Sequence, residues 1–278
     1  MSTRCIAGIA LLLTGSAAYA QAEHDHSQHS RHVVPETQST EESRHVPPDP
    51  PSHTMEPMSN AEMVEIMGMD DAARFGATAI DRLEWRNDND ALAWEAKAWY
   101  GGDYNKFALK TEGERVHNET EHARTEALWE HTIARWWSTQ AGVRYDSGKG
   151  PSRTWAAFGI EGLAPYWFDV EATVYVGEQG RTALRAEGKY DLRFTQRLIL
   201  QPQLEVNLYG KDDPERGLGS GLSDLEAGLR LRYEIRREFA PYIGVQWTRR
   251  FGETADLAEV RGDDTGDVQF VAGARVWF

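Results

Sequence analysis

The sequence predicts an all-β protein: a transmembrane antiparallel β-barrel of about twelve strands with a disordered N-terminal tail. Three observations lead there. From about residue 80 to the C-terminus, apolar and polar residues alternate with a period of two. The alternating runs reach ten residues or more, longer than the five or six usual in globular sheets. Alternate connections differ in kind, tiny at one end and including long Gly- and Asp-rich segments at the other, which is how bacterial outer-membrane barrels are built.

The alternation is clearest in the second half of the chain. Leu198, Leu200, Pro202, Leu204, Val206 and Leu208 share one face, and Gln201, Gln203, Glu205 and Asn207 share the other. Leu225, Ala227, Leu229, Leu231, Tyr233 and Ile235 oppose Glu226, Arg230, Arg232, Glu234 and Arg236. Leu184, Ala186, Tyr190, Leu192 and Phe194 oppose Arg185, Glu187, Lys189, Asp191 and Arg193. A soluble sandwich also alternates, but these polar faces carry dense charge of both signs, as barrel interiors do. The lumen charges are expected to pair with one another.

Strands are predicted near 80–86, 91–100, 104–116, 124–137, 139–146, 153–163, 166–177, 181–194, 197–209, 224–237, 241–251 and 267–278. The short connections are Gly101 to Asp103, Ser138, Ala164-Pro165, Thr195-Gln196 and Glu238 to Ala240; 210–223 and 252–266 are the long ones. An even strand number puts both termini in the periplasm. Trp99, Tyr100, Tyr104, Trp136, Trp137, Tyr166, Trp167, Phe239, Tyr242 and Phe278 gather at the short-turn end, where an interfacial girdle belongs. The last strand sets Phe270, Ala272, Ala274, Val276 and Phe278 on one face and ends on an aromatic, as outer-membrane barrels do.

Ahead of the barrel the chemistry changes. Residues 1–20 read as an export signal, with Arg4, an apolar stretch from Ile6 to Leu13 and an Ala18-Tyr19-Ala20 cleavage site. The single cysteine, Cys5, would leave with it, so no disulfide or thiolate chemistry is expected of the mature chain. Residues 21–75 form the predicted tail and 76–278 the barrel. From Gln21 to Arg74 there is no Phe, Trp or Tyr, six of the eleven prolines fall there, and eleven acids face only Arg31, Arg44 and Arg74. Such a segment buries too little apolar surface to offset the entropy of ordering it. One piece breaks the rule. Ser59 and Glu62 have capping-box spacing, and Met63, Ile66 and Met67 recur at helical intervals.

The tail also concentrates metal donors. His24, His26, His29, His32, His45 and His53 are six of the nine histidines, and Met55, Met58, Met63, Met67 and Met69 are every methionine except the initiator. Imidazole suits Cu(II), Zn and Ni, whereas thioether sulfur is soft and favours Cu(I). A segment offering both fits a metal that moves between two oxidation states, so copper, as Cu(I), Cu(II) or both, is the predicted ligand of these eleven residues. Met63 and Met67, one helical turn apart, could equally form the apolar face of a docking helix. His117 and His122 fall in a predicted outer loop and His131 on the fourth strand, where polar surface or lumen roles are commoner than ligation.

The net charge of −14 argues against nucleic acid as a partner. No enzyme is predicted. An outer-membrane hydrolase needs a His beside a nucleophilic Ser, and His131, the one strand histidine, has no convincing serine on the flanking strands. Two alternatives stay open, a general porin and such a hydrolase, each with an incidental tail.

Gly162-Leu163-Ala164-Pro165-Tyr166-Trp167-Phe168, the long run from Tyr209 to Val245, and the closing Val276-Trp277-Phe278 resemble the copper resistance protein B family. The resemblance spans roughly residues 78–278. It implies an outer-membrane location with lipid around the barrel, copper binding, and a part in copper tolerance beside a periplasmic multicopper oxidase. The expectation is therefore an outer-membrane protein that sequesters periplasmic copper, with export left open. Family members commonly carry Met- and His-rich N-terminal repeats. Here the tail is short, and its His and Met occupy largely separate blocks.

Overall fold

A computed structural model of the chain describes Ser59, Glu62, Ile66, residues 73–87 and residues 90–278. The strands are β1 (Phe75–Arg86), β2 (Ala91–Gly101), β3 (Asn105–Val116), β4 (Glu119–Ala134), β5 (Trp137–Gly148), β6 (Arg153–Ala164), β7 (Phe168–Gly177), β8 (Thr182–Lys189), β9 (Leu192–Arg193), β10 (Leu198–Tyr209), β11 (Gly221–Tyr233), β12 (Phe239–Arg250) and β13 (Gly266–Trp277). Both β8 and the two-residue β9 pair with β10, so they form one stave interrupted at Tyr190-Asp191. Each stave is antiparallel to its neighbours, and β13 pairs back onto β1 from Ala79↔Trp277 to Arg86↔Val271. The result is a closed barrel of twelve staves, one for each predicted strand. Closure satisfies the edge hydrogen bonds that an open sheet would expose.

Side chains sort by parity, and the sorting is inverted relative to a water-soluble protein. Phe107, Trp129, Phe158, Val174, Leu204, Ile243 and Phe270 are exposed, whereas Glu84, Glu126, Arg144, Arg185, Glu205 and Arg230 are buried. Apolar outside and charged inside is stable only where the surrounding solvent is hydrocarbon. The protein is an outer-membrane β-barrel.

Parity also corrects two girdle assignments. Trp99 and Tyr242 lie at the short-turn end as predicted, but both point inward. Trp99 packs on the buried cluster of Ala108, Leu128, Trp155, Ala157, Tyr175 and Ala183, and the Tyr242 hydroxyl donates to Glu84 at 3.2 Å. At the outside of the same end, Trp136 meets Trp167 edge-on at 5.5 Å. Arg135 lies 5.7 Å from the centre of the Trp136 ring.

Several local features depart from simple alternation. The β1 register shifts between Ile80 and Arg82, a bulge that turns both Asp81 and Arg82 to inward partners, Arg275 and Glu95. The seventh strand begins at Phe168 rather than 166, because Pro165–Trp167 forms a 3-10 turn with φ of 67° at both Tyr166 and Trp167. The fourth strand begins at Glu119, so His122 belongs to β4 and not to a loop. The preceding turn is only His117-Asn118, both at positive φ, the twist that a two-residue hairpin requires. Within the predicted loop 252–266 lies a helix, α1 (Gly252–Arg261), closed by Gly262 at φ 80°. Thr254 of α1 accepts from the Gly219 N–H at 2.8 Å and donates to Ser223 at 3.1 Å, tying the two long outer connections together.

The capping box forms as its spacing predicts. Ser59 donates to Glu62 through both its amide, at 2.9 Å, and its hydroxyl, at 2.8 Å, while the Glu62 amide returns a 3.3 Å bond to the Ser59 oxygen. Those bonds hold the Glu62 carboxyl below the usual carboxylate range. Glu62 and Ile66 are helical.

Candidate functional site

The barrel interior is crossed by its own side chains. Strands β2 and β8 stand six staves apart in a ring of twelve and are therefore opposite each other. Even so, Lys189 on β8 donates to Glu95 on β2 at 2.9 Å. Arg185 on β8 reaches Glu112 on β3 at 3.1 Å. Lys97 on β2 contacts Glu161 on β6 at 2.9 Å, and Lys110 on β3 contacts Glu171 on β7 at 2.9 Å. Lys97 also lies 2.7 Å from Glu130. That contact is poorly aligned, and it leaves the buried Glu130 Oε1 with charge proximity but no hydrogen bond.

Two further groups fill the interior. Tyr175 donates to Glu126 at 2.7 Å, Trp155 donates to Asp146 at 2.9 Å, and Arg144 lies 4.4 Å from the centre of the Tyr175 ring. Glu84, fully buried on β1, accepts from Arg230 on β11 at 2.8 Å and 3.2 Å. What remains between the struts is a cavity of about 140 Å³, lined by eight carboxylates and five cationic side chains. The expectation that lumen charges pair with one another holds.

The candidate metal ligands are placed differently. Among the described residues, no group of three or more His, Cys, Asp and Glu is arranged to hold a metal ion. His131 stacks on Trp129 with ring centres 5.6 Å apart, and its Nδ1 meets Asn105 Oδ1 at 3.0 Å. His117 and His122 are exposed at the opposite end. From Phe75 onward the sequence has no Met and no Cys. The eleven predicted donors, His24, His26, His29, His32, His45, His53, Met55, Met58, Met63, Met67 and Met69, lie outside the described residues.

The two ends of the barrel sequence lie together. Phe75 pairs with Gly101, beside the short 102–104 connection. Phe278 exchanges backbone bonds with Thr78 at the same end. The barrel therefore begins at Phe75 and ends at Phe278 on the same short-turn rim.

The family described as "Copper resistance protein B precursor (CopB)" matches residues 74–278. "Copper resistance protein B" of Escherichia coli is 52% identical over 201 residues, covering 72% of this chain and 68% of the relative. The chain belongs to the copper resistance protein B family. A second relative, the "Copper resistance protein B homolog" of Pseudomonas syringae pv. tomato, is 51% identical over 200 residues, or 71% of this chain and 68% of its own. Among solved structures, a KdgM porin aligns at 13% identity with a TM-score of 0.46, covering 73% of this chain and 99% of the porin. A NanC porin aligns at 11% identity with a TM-score of 0.48 and the same coverage.

The family resemblance rests on scaffold. The run from Gly162 to Phe168 builds the end of β6 and its 3-10 turn. The run from Tyr209 to Val245 builds the outer connection, β11, a short turn and half of β12. The cross-lumen partners escaped sequence reasoning because parity says which residues point inward but not which staves face one another.

Proposed function

We propose that this copper resistance protein B family member holds periplasmic copper on residues 21–75, tethered to the outer membrane by the barrel. The carrying observation is the separation of donors. The barrel offers copper no sulfur, and its lumen carboxylates are largely engaged by Lys and Arg. Every thioether after the initiator and six of nine imidazoles precede it. His24, His26, His29, His32, His45 and His53 suit Cu(II), and Met55, Met58, Met63, Met67 and Met69 suit Cu(I). Copper here is cargo, and the role is buffering rather than catalysis.

Short turns face the periplasm in outer-membrane barrels. The donor segment joins the barrel at that rim, which supports a periplasmic position for it once residues 1–20 are removed. There it can exchange copper with a soluble oxidase, the multicopper type that the family implies. Lys189–Glu95 and Arg185–Glu112, spanning the lumen, count against an always-open general porin.

The test is copper titration of the mature protein in detergent, with each oxidation state separately. Changing the six tail histidines to Ala is expected to abolish Cu(II) binding, and changing the five methionines to Leu to abolish Cu(I) binding. Residues 74–278 alone should bind neither. Equal binding by that truncated chain would overturn the reading.

A further inference from the structure

Two of the cross-lumen ion pairs, Lys189–Glu95 and Arg185–Glu112, differ from ordinary buried pairs in one respect: every charge in them has a second partner on its own side of the barrel. Lys189 lies 2.9 Å from Glu95 across the lumen and 2.7 Å from Glu187 on its own stave. Glu95, in turn, is held at 2.5 Å by Arg82 on the adjacent β1. The second strut repeats the pattern. Arg185 reaches Glu112 across the lumen at 3.1 Å, yet grips Glu205 on the adjacent β10 with two bonds of 2.6 Å and 2.8 Å. Glu112 is held at 2.6 Å by Arg124 on the adjacent β4.

Breaking a buried ion pair is costly mainly because it strands a charge. Neither strut does so on parting. One opens into Arg82–Glu95 and Lys189–Glu187, the other into Arg124–Glu112 and Arg185–Glu205, and each product is a complete pair lying along a wall. Lys and Arg carry long flexible stems, so retraction asks for rotamer changes only. The remaining crossings, from Lys97 and Lys110, lack this arrangement. Lys110 makes its ion pairs only with Glu161 on β6 and Glu171 on β7, three and four staves away.

We infer that the barrel is a gated cation passage, closed by the Lys189–Glu95 and Arg185–Glu112 struts and opened when they fold back onto opposite walls. Cation preference follows from the cavity beside the struts, where eight carboxylates outnumber five cationic groups. Because the gate lies wholly within residues 82–205, its behaviour is independent of the tail donors. The barrel can thus prove gated even if the tail binds no copper.

The experiment is ion conductance of the purified full-length protein in planar bilayers of neutral lipid, in potassium chloride. The wild type should conduct rarely and briefly. Lys189→Ser, which leaves Glu95 on Arg82 and Glu187 with Gln203 and Arg185, should raise the open fraction severalfold. Under a salt gradient its reversal potential should fall on the cation side. A second variant pair removes dependence on how Lys189→Ser folds. Glu95→Cys with Lys189→Cys, joined by a reducible cross-linker, should be silent until reductant is added and then conduct. Steady large conductance in the wild type would overturn the gate. So would wild-type behaviour of a natively melting Lys189→Ser, or a cross-linked pair that conducts before reduction. Anion-side reversal would overturn the selectivity.

Discussion

Glu84→Ala removes the acceptor at the centre of the network that braces the barrel's closing seam. Glu84 is 0% exposed. It accepts two bonds from Arg230, at 2.8 Å and 3.2 Å, one from Arg86 at 3.2 Å and one from the Tyr242 hydroxyl at 3.2 Å. These link β1 to β11 and β12, the staves on the far side of the β13–β1 junction. Deleting one member of such a pair typically costs about 3–5 kcal/mol, because the other charge is left buried. Arg230 keeps Gln203 and Gln246 as acceptors, at 3.1 Å and 2.9 Å, and Arg86 keeps Glu114 at 3.0 Å. Those neutral and outlying partners place the loss at the lower end, about 3 kcal/mol. Glu84→Leu combined with Arg230→Met removes both charges. It leaves the Tyr242 hydroxyl, the Arg86 Nε and the two glutamine side-chain oxygens short of a partner, while Arg86 keeps its ion pair with Glu114, so the double variant should recover to within about 1–2 kcal/mol of wild type. Guanidinium unfolding in detergent micelles, followed by tryptophan fluorescence at unchanged m-value, measures both. A loss below about 1 kcal/mol for Glu84→Ala would refute the argument. So would a double variant no more stable than the single one, since the cost would then not come from a stranded charge.

Further outcomes follow from the same contacts. Thr254→Val removes the acceptor for the Gly219 amide and the donor to Ser223, and should cost about 1–2 kcal/mol, seen as faster hydrogen exchange in residues 210–220 with the barrel staves unaffected. Glu253 accepts from the Ser220 hydroxyl at 2.8 Å and amide at 3.1 Å, and these bonds lower its pKa. A depressed carboxyl stabilises the fold above its ordinary value near 4.3 and loses that contribution as pH falls through the lowered one. Ser220 amide protection should therefore fall in acid while Gly219, held by neutral Thr254, keeps its own. Gly142→Val should impair folding by about 1–3 kcal/mol, read as loss of heat-modifiable gel migration, because a Cβ there collides with the Ala127 carbonyl oxygen and the Leu128 backbone. Ser59→Ala breaks the capping box and should lower helix content near residue 62 by about 1 kcal/mol of cap stability, measured by amide exchange.

What the sequence determined by itself was everything governed by covalent periodicity. Successive side chains on a strand point to opposite faces, so Gln203 and Glu205 inward and Leu204 outward follow from the order of residues alone. The same rule yielded all twelve staves. Ser59–Glu62 was equally legible, since both partners lie within one helical turn. Tertiary structure decided what depends on closure. The bulge at Ile80–Arg82 turned Asp81 and Arg82 to the same side, and parity put Trp99 and Tyr242 inside although composition grouped them with the girdle. Helix α1 formed where a Gly- and Asp-rich stretch read as loop, supported by its contacts with Gly219, Ser220 and Ser223. Above all, Lys189 meets Glu95 only because a twelve-stave ring brings β8 opposite β2. Partners 94 residues apart are chosen by the circumference of the barrel, a quantity that no local run of sequence carries.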